Sequence, residues 1–393
     1  MSEIKVNSIK GVSASSAAIT INNTDGTCTA NITNNLSNRN LVINGAMQVA
    51  QRGTSNTAGG AGYFTVDRIY YYNQGIDNDV TKAQADVASG TTPYSLGFRK
   101  SFKLTNGDQS GGVGTNDMIV FDYKLEAQDI ANSGWNYTSS SSDITLSFWV
   151  KSSVAQNFYV RLLTNDGTAQ NYTFETGSLT ADTWTKITKT IEGNSNLQFN
   201  NDNGVGLDIE WSLFRGTDST GSMSLNAWAA DNTSIRTPDQ TSTWYTTNDA
   251  TFEITGVQLE VDHTGSGVAT DFEHRSYADE LRRCQRYYYV LANGNQQALG
   301  DGLFWSASEI SFITRFPVEM RASPDFDQSY GTDYFKAEGG GYGDGISSYW
   351  RSQYKSTRGT NHWLPADTNG TTGLSITIFS NNASAKLAYS AEL

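Results

Sequence analysis

The sequence predicts an all-β protein, and three observations support this. Apolar and polar residues alternate with a period of two over most of the chain, which is typical of strands that bury one face. The 393 residues include 37 Gly and only 5 Pro, a composition suited to tight turns between strands. Aromatic residues make up 12% of the chain, which excludes a disordered composition. The length predicts more than one domain.

Charge and hydropathy exclude two classes of partner. The chain has 27 Lys and Arg against 40 Asp and Glu, a formal charge of −13, which opposes binding to phosphate backbones. No run of about 18 apolar residues is present, so we expect no membrane insertion. The N-terminus has no signal-peptide core, so we expect a soluble product made in the cytoplasm.

The cysteines and histidines do not match a catalytic or metal-binding pattern. Cys28 and Cys284 lie far apart and outside any zinc-like spacing, so both are expected to be free thiols. The histidines, His263, His274 and His362, are expected to be structural. No phosphate-binding loop or nucleophile elbow is present. We therefore predict no catalytic residue, no metal and no cofactor.

Residues 41–275 are predicted to form the main β-domain. Alternation is clearest at 94–104, 144–150, 158–162 and 207–213. Over residues 252–261 the apolar positions switch from even to odd at Gly256, which predicts a β-bulge there. Long antiparallel strands with one buried face pack as two sheets, so a jelly-roll β-sandwich is expected.

A short amphipathic helix is predicted at residues 276–287. Ser276 and Asp279 have the spacing of a capping box. The helix is too short to be stable alone, so its apolar stripe must dock on the sandwich or on other copies of the chain. The stripe, our candidate for helix and trimer packing, consists of Tyr277, Leu281, Cys284 and Tyr288.

Two flanking regions complete the predicted organisation. Residues 1–40 have few aromatics and cannot bury enough apolar area to fold alone, so they are predicted to form an extended N-terminal arm ordered by a partner or by other copies. Residues 288–393 are predicted to form a smaller C-terminal β-domain. Its glycine-rich stretch at 339–345 is followed by a segment dense in aromatics.

Several runs resemble a tail-fibre family of short-tailed bacteriophages. They are NLVINGAMQVAQRG (40–53), VDRIY (66–70), SFWVKS (147–152), WTKI (184–187), GVQLE (256–260) and FEHRSYADELRRCQRYY (272–288). The last run is the most specific, and the resemblance covers about residues 1–290. The 41–275 region is also similar to carbohydrate-binding-module jelly rolls through Phe148, Trp149, Val150 and Trp184.

The resemblance implies a homotrimer in the virion tail, assembled in the host cytoplasm. It implies that the arm binds a tail adaptor or nozzle protein and that the distal region meets the host. The candidate attachment residues are Ile4, Val6, Ile9, Ile19 and Ile21. Trimer formation is also favoured physically, because the arm, the short helix and the sheet edges all gain from burial against other copies.

The aromatic C-terminal segment is the candidate receptor surface, with a host-surface glycan or protein as its partner. Flat aromatic rings stack on sugar rings while polar groups fix the hydroxyls. The candidates are Tyr342, Asp344, Tyr349, Trp350, Arg351, Tyr354, Arg358 and Trp363. The alternative is that these aromatics pack beneath the tip or at a subunit interface.

Two other functions remain open. A tailspike-like enzyme that degrades polysaccharide needs a pair of carboxylates, and Asp208 and Glu210 share a strand face. Their alternation with apolar residues favours ordinary solvent-facing positions, so we predict that the protein is not an enzyme. A structural adaptor or decoration protein of the virion is the other alternative, since the arm suits it equally well.

Overall fold

The fold is described by a computed structural model that covers residues 6–10, 12, 19–21, 24, 28–30, 38–263, 265 and 267–393. It confirms the all-β prediction. The arm contains β1 (Ser8–Ile9), β2 (Ile19–Ile21) and β3 (Cys28–Ala30), which pair antiparallel in the order β1-β2-β3. We call these strands the arm sheet.

The strands between residues 55 and 262 form two packed sheets, here called the body. The strands are β4 (Ser55–Asn56), β5 (Ala61–Tyr63), β6 (Ile69–Gln74), β7 (Thr81–Asp86), β8 (Lys100–Thr105), β9 (Met118–Glu126), β10 (Asp143–Ser152), β11 (Asn157–Thr164), β12 (Gln170–Ser178), β13 (Thr185–Glu192), β14 (Val205–Arg215), β15 (Trp228–Ala230) and β16 (Thr251–Asp262). Three short helices interrupt them: α1 (Thr92–Ser95), α2 (Ala127–Ala131) and α3 (Thr243–Thr246).

The body is a β-sandwich, as predicted. Its six-stranded sheet has the order β13-β10-β16-β8-β7-β4, and its seven-stranded sheet has the order β15-β12-β11-β14-β9-β6-β5. From β8 to β16 the chain crosses repeatedly between the sheets, as in a jelly roll. Phe148 from one sheet meets Trp211 from the other edge-to-face, with ring centroids 5.7 Å apart, so the alternating apolar residues meet in one core.

The predicted β-bulge at Gly256 is confirmed. Ser147 pairs with Gln258 and Trp149 with Thr255, so Gly256 and Val257 together oppose Phe148. Gly256 has φ +64°, a left-handed conformation that favours glycine, and a Cβ there would lie 2.7 Å from the Phe98 ring. Because of the bulge, the core-facing residues of β16 change from even to odd positions while the strand continues.

The strand predicted at 94–104 is wrong in its first half. Pro93 lies in the first turn of α1, where its fixed φ suits a helix, and β8 begins only at Lys100. Of the apolar residues that alternate in this stretch, Leu96 is exposed, whereas Phe98, Phe102 and Leu104 are buried. A local helix start thus outweighed the alternating pattern.

The predicted helix is α4 (Tyr277–Gln285), and further strands follow it. The backbone N–H of Asp279 donates to Ser276 Oγ at 3.2 Å, so the predicted cap is present. The strands are β17 (Tyr288–Asn293), β18 (Ala298–Ser306), β19 (Glu309–Arg315), β20 (Asp325–Ser329), β21 (Phe335–Gly339), β22 (Tyr342–Ile346), β23 (Arg351–Ser356), β24 (Gly359–Pro365), β25 (Ser375–Ser380) and β26 (Lys386–Ser390). The domain boundaries stated above stay a prediction.

The C-terminal strands form a three-stranded sheet, β17-β26-β20, and a seven-stranded sheet, β22-β21-β25-β18-β19-β24-β23. We call them the small and large C-terminal sheets. Tyr389 of β26 packs on Phe316 at 4.9 Å and on Phe326 at 5.7 Å between ring centroids. Both sheets contribute to a second hydrophobic core, separate from the core of the body.

Candidate functional site

Three of the runs that resemble the tail-fibre family, at 40–53, 256–260 and 272–288, meet at one junction. Arg275 lies at its centre: its Nη1 donates to the carbonyl of Val42 at 3.2 Å and pairs with Glu280 at 3.0 Å. The carboxylate of Glu273 accepts from the backbone N–H of Asn40 at 2.8 Å. The start of the body is therefore held by the segment that leads into α4.

The same junction receives the GVQLE run. Asn40 Nδ2 donates to the carbonyl of Val257 at 3.1 Å, and Asn40 Oδ1 accepts from the N–H of Leu259 at 3.1 Å. Gly45 lies so close that a Cβ would fall 2.1 Å from the Val257 carbonyl oxygen. These runs form hydrogen bonds with one another. They therefore hold the start of the body, β16 and the segment before α4 in a fixed arrangement.

The candidate receptor residues are placed differently, and Trp350 requires a correction. Its side chain is 1% exposed and packs edge-to-face on Phe335, with ring centroids 4.9 Å apart. It belongs to the second core, because β23 starts just after it and turns it inward. Trp350 therefore cannot stack on a ligand, and for this residue the alternative of packing beneath the surface holds.

The other candidates divide into exposed and half-buried residues. Tyr349, Tyr354, Arg351 and Arg358 are exposed, while Tyr342, Asp344 and Trp363 are half-buried. Tyr342 packs on Phe304 with ring centroids 4.7 Å apart. Hydrogen bonds from Thr368 and from the N–H of Gly345 lower the pKa of Asp344, so it is held as a carboxylate.

The outer face of the large C-terminal sheet brings several of these residues together with apolar residues that the sequence analysis missed. The Trp305 and Trp363 rings lie side by side, with centroids 5.6 Å apart. Trp305 is 59% exposed and Ile313 is 62% exposed. We call this face the aromatic platform; it consists of Leu303, Trp305, Ile313, Tyr354 and Trp363.

Strand register explains how the aromatic platform forms. Ser311 pairs with both Leu303 and Trp363, and Trp363 pairs with Arg351, so these residues form one row across the sheet. A register shift between Phe304 and Ser306 leaves Trp305 outside the ladder. The available signal was that β18 and β19 carry large apolar residues at odd as well as even positions, so both faces are apolar.

The arm candidates are only partly within the described residues. Ile4 lies outside them. Val6 and Ile9 are exposed, and Ile19 and Ile21 of β2 are half-buried. Their role in attachment stays a prediction.

The apolar stripe of α4 is buried against the rest of the chain along part of its length. Cys284 and Tyr288 are fully buried, Leu281 is half-buried and Tyr277 is 55% exposed. Burial raises the pKa of the Cys284 thiol, so this residue behaves as an apolar filler. The N-terminal end of the stripe, at Tyr277, is exposed in the single chain, and its role in trimer packing stays a prediction.

Asp208 and Glu210 were predicted to face solvent, and this is wrong for Glu210, which is buried. The segment between β14 and α3 covers part of this face: Asp231 pairs with Arg161 at 2.5 Å, and Gln240 Nε2 donates to Ser212 Oγ at 2.9 Å. Burial alone would raise the pKa of Glu210, but the nearby guanidiniums of Arg215 and Arg161 outweigh it and lower that pKa. Glu210 is thus a buried member of an ion network.

Asp208 is half-buried, and burial raises its pKa to about 6. Asp122, opposite Glu210 in the ladder, also has its pKa raised by burial. Over the described residues, no group of three or more His, Cys, Asp or Glu is arranged to hold a metal ion. The helices in that part of the chain are all too short or too polar to cross a membrane.

Comparison with known proteins gave structural similarity only. The chain matches no protein-family model and no curated protein sequence. Similar structures include the enzymatically active domain of tailspike protein 4 of bacteriophage CBA120, 12% identical with a TM-score of 0.31, covering 56% of this chain and 21% of that chain. Another is the family 11 carbohydrate-binding module of Clostridium thermocellum, 11% identical with a TM-score of 0.24, covering 53% of this chain and 95% of that chain. Discoidin II of Dictyostelium discoideum is 12% identical with a TM-score of 0.15, and the match covers 77% of this chain and 86% of that chain. The function proposed below therefore rests on the geometry of this chain.

Proposed function

We propose that this protein is a subunit of a homotrimeric phage tail fibre whose C-terminal sheets bind a glycan on the host surface. The observation that carries the proposal is the aromatic platform, because a tryptophan that is 59% exposed beside a second tryptophan is costly in a soluble protein unless it meets a partner. The two indole rings, tilted by 51° to each other, each offer a flat apolar face of the kind on which sugar rings stack.

The junction supports the fibre role. Three of the family-like runs bind one another, and Arg275 bridges the start of the body to α4. The start of the body is thus joined to the segment that precedes the C-terminal sheets, which carry the platform. The arm, with Val6 and Ile9 exposed, is left for the tail protein.

The platform is tested by adsorption. We expect the Trp305→Ala, Trp363→Ala double variant to lose binding to susceptible cells while its thermal unfolding stays close to that of the unaltered protein. Trp184→Ala, which removes a half-buried tryptophan from the body, is the matched control and should adsorb normally. Unchanged adsorption of the double variant would favour the adaptor alternative.

Two further measurements address assembly and enzymatic activity. Analytical ultracentrifugation should give a trimer, and a stable monomer would contradict the fibre role. Incubation with host polysaccharide should release no reducing ends, whereas their release would favour the tailspike-like enzyme.

A further inference from the structure

Arg351 is a cation with no carboxylate partner at the margin of the aromatic platform. The hairpin of β23 and β24 carries two other cations: Lys355 pairs with Asp325 at 3.0 Å and Arg358 with Glu319 at 3.1 Å. Within the part of the chain that the structure describes, the Arg351 side chain makes no ion pair or hydrogen bond, and its guanidinium lies 5.8 Å from the centroid of the Tyr349 ring. Its guanidinium therefore has free donors facing solvent.

Arg351 also lies between two exposed aromatic pairs. Trp363, of the Trp305 pair, is its direct neighbour across the β23–β24 ladder. On its other side Tyr349 lies beside Tyr330, with ring centroids 5.9 Å apart. Tyr349 and Arg351 are two residues apart with the inward-facing Trp350 between them, so they share the outer face. The surface thus has two places for sugar rings with a cation between them.

We infer that the glycan is an acidic oligosaccharide of at least two units, with one ring on the tryptophan pair, another on the tyrosine pair and its carboxylate on Arg351. This inference rests on the proposed function. A guanidinium binds a carboxylate with two parallel hydrogen bonds, which gives both energy and orientation. Because the chain carries a net charge of −13, long-range repulsion opposes an acidic ligand, so a local cation must provide the recognition.

The test is binding of the full chain to a glycan array that holds uronic-acid oligosaccharides and the same oligosaccharides with their carboxyls reduced to hydroxymethyl groups. We expect the unaltered protein to bind the acidic forms at least roughly tenfold more tightly, the effect of one charged hydrogen bond. Arg351→Gln should abolish this preference. Lys355→Gln removes the same charge from a residue of the same hairpin that already pairs with Asp325, and should preserve it. Tyr349→Ala should lower the affinity for oligosaccharides of two or more units towards that for the monosaccharide.

The outcomes separate this inference from the function on which it rests. If Arg351→Gln leaves binding unchanged, or if reduced and acidic glycans bind equally, the inference of an acidic ligand is wrong. The proposal that the aromatic platform binds a glycan is then unaffected. Binding confined to sulfated or phosphorylated sugars would overturn the carboxylate assignment. If Trp305→Ala, Trp363→Ala changes binding to no glycan on the array, the proposed function itself fails, and this inference fails with it.

Discussion

The guanidinium of Arg68 lies over the ring of Tyr287, 3.5 Å from the ring centroid. Arg68 belongs to the body and Tyr287 lies just after α4. A parallel contact places the Arg52 guanidinium 3.5 Å from the centroid of the Tyr288 ring, and both arginines pair with the carboxylate of Glu392. The body and the C-terminal sheets therefore share one buried charged seam.

Loss of Glu392 should destabilise this seam. Glu392→Gln leaves two buried guanidiniums without their shared anion, and removal of one partner of a buried pair costs about 3 kcal/mol. We expect a loss of that size in the free energy of unfolding, measured by urea denaturation. Glu338→Gln breaks an exposed pair with Lys336 and should cost much less than Glu392→Gln. Equal effects of the two variants would contradict a buried, shared ion pair.

His362 should make the C-terminal sheets sensitive to acid. It is buried among aromatic rings, its Nε2 lies 2.8 Å from the Tyr389 hydroxyl, and burial lowers its pKa from 6.5 to about 3. Between these values the unfolded chain binds a proton that the native state does not. The stability from neutral His362 is therefore complete above pH 6.5 and declines as the pH falls towards 3, by at most about 1.4 kcal/mol per pH unit.

Urea denaturation between pH 7.5 and pH 4 checks this linkage. His362→Gln should flatten the dependence of stability on pH, even though the variant starts from a lower stability at pH 7.5. The exposed His263 gives the matched control, and His263→Gln should keep the original slope. An unchanged slope in His362→Gln would show that other groups dominate acid unfolding.

Gly256→Ala should be strongly destabilising. Alanine there must adopt φ +64°, which costs about 1 kcal/mol, and its Cβ would lie 2.7 Å from Phe98, which adds roughly 1–3 kcal/mol of overpacking. Gly177 has φ +72° and no atom within 4 Å of its added Cβ, so Gly177→Ala measures the backbone cost alone. Thermal unfolding compares the two, and similar losses would contradict a clash at the bulge.

Asp208→Asn should stabilise the body at high pH. Burial raises the pKa of Asp208 to about 6, so the folded state holds a proton that the unfolded chain releases. Ionisation of the half-buried carboxyl lowers the free energy of unfolding. This loss is absent at low pH and grows as the pH rises from about 4 to 6. Because Asp208 is half-buried, solvent screening reduces the gain to about 1 kcal/mol at pH 8. Urea denaturation at pH 8 and pH 4 tests this, with the exposed Glu192→Gln as the control that should show no such difference.

The sequence by itself determined the class of fold and several local features. Two-residue alternation predicted the strands of the sandwich, because it places every second side chain on one face. The parity switch identified the bulge at Gly256, and the Ser276 cap identified the start of α4. These features depend on residues close together in the chain, so the pattern was sufficient.

Only the tertiary structure decided which face of each sheet meets solvent. Trp350 and Trp363 both lie in the aromatic C-terminal segment, yet one lies in the core and the other on the platform, because periodicity says which residues share a face and not which face receives a second layer. Glu210 was misassigned for the same reason: a segment more than 20 residues further along, at Asp231, helps to cover its face through Arg161. Burial depends on contacts between distant segments, which no local pattern contains.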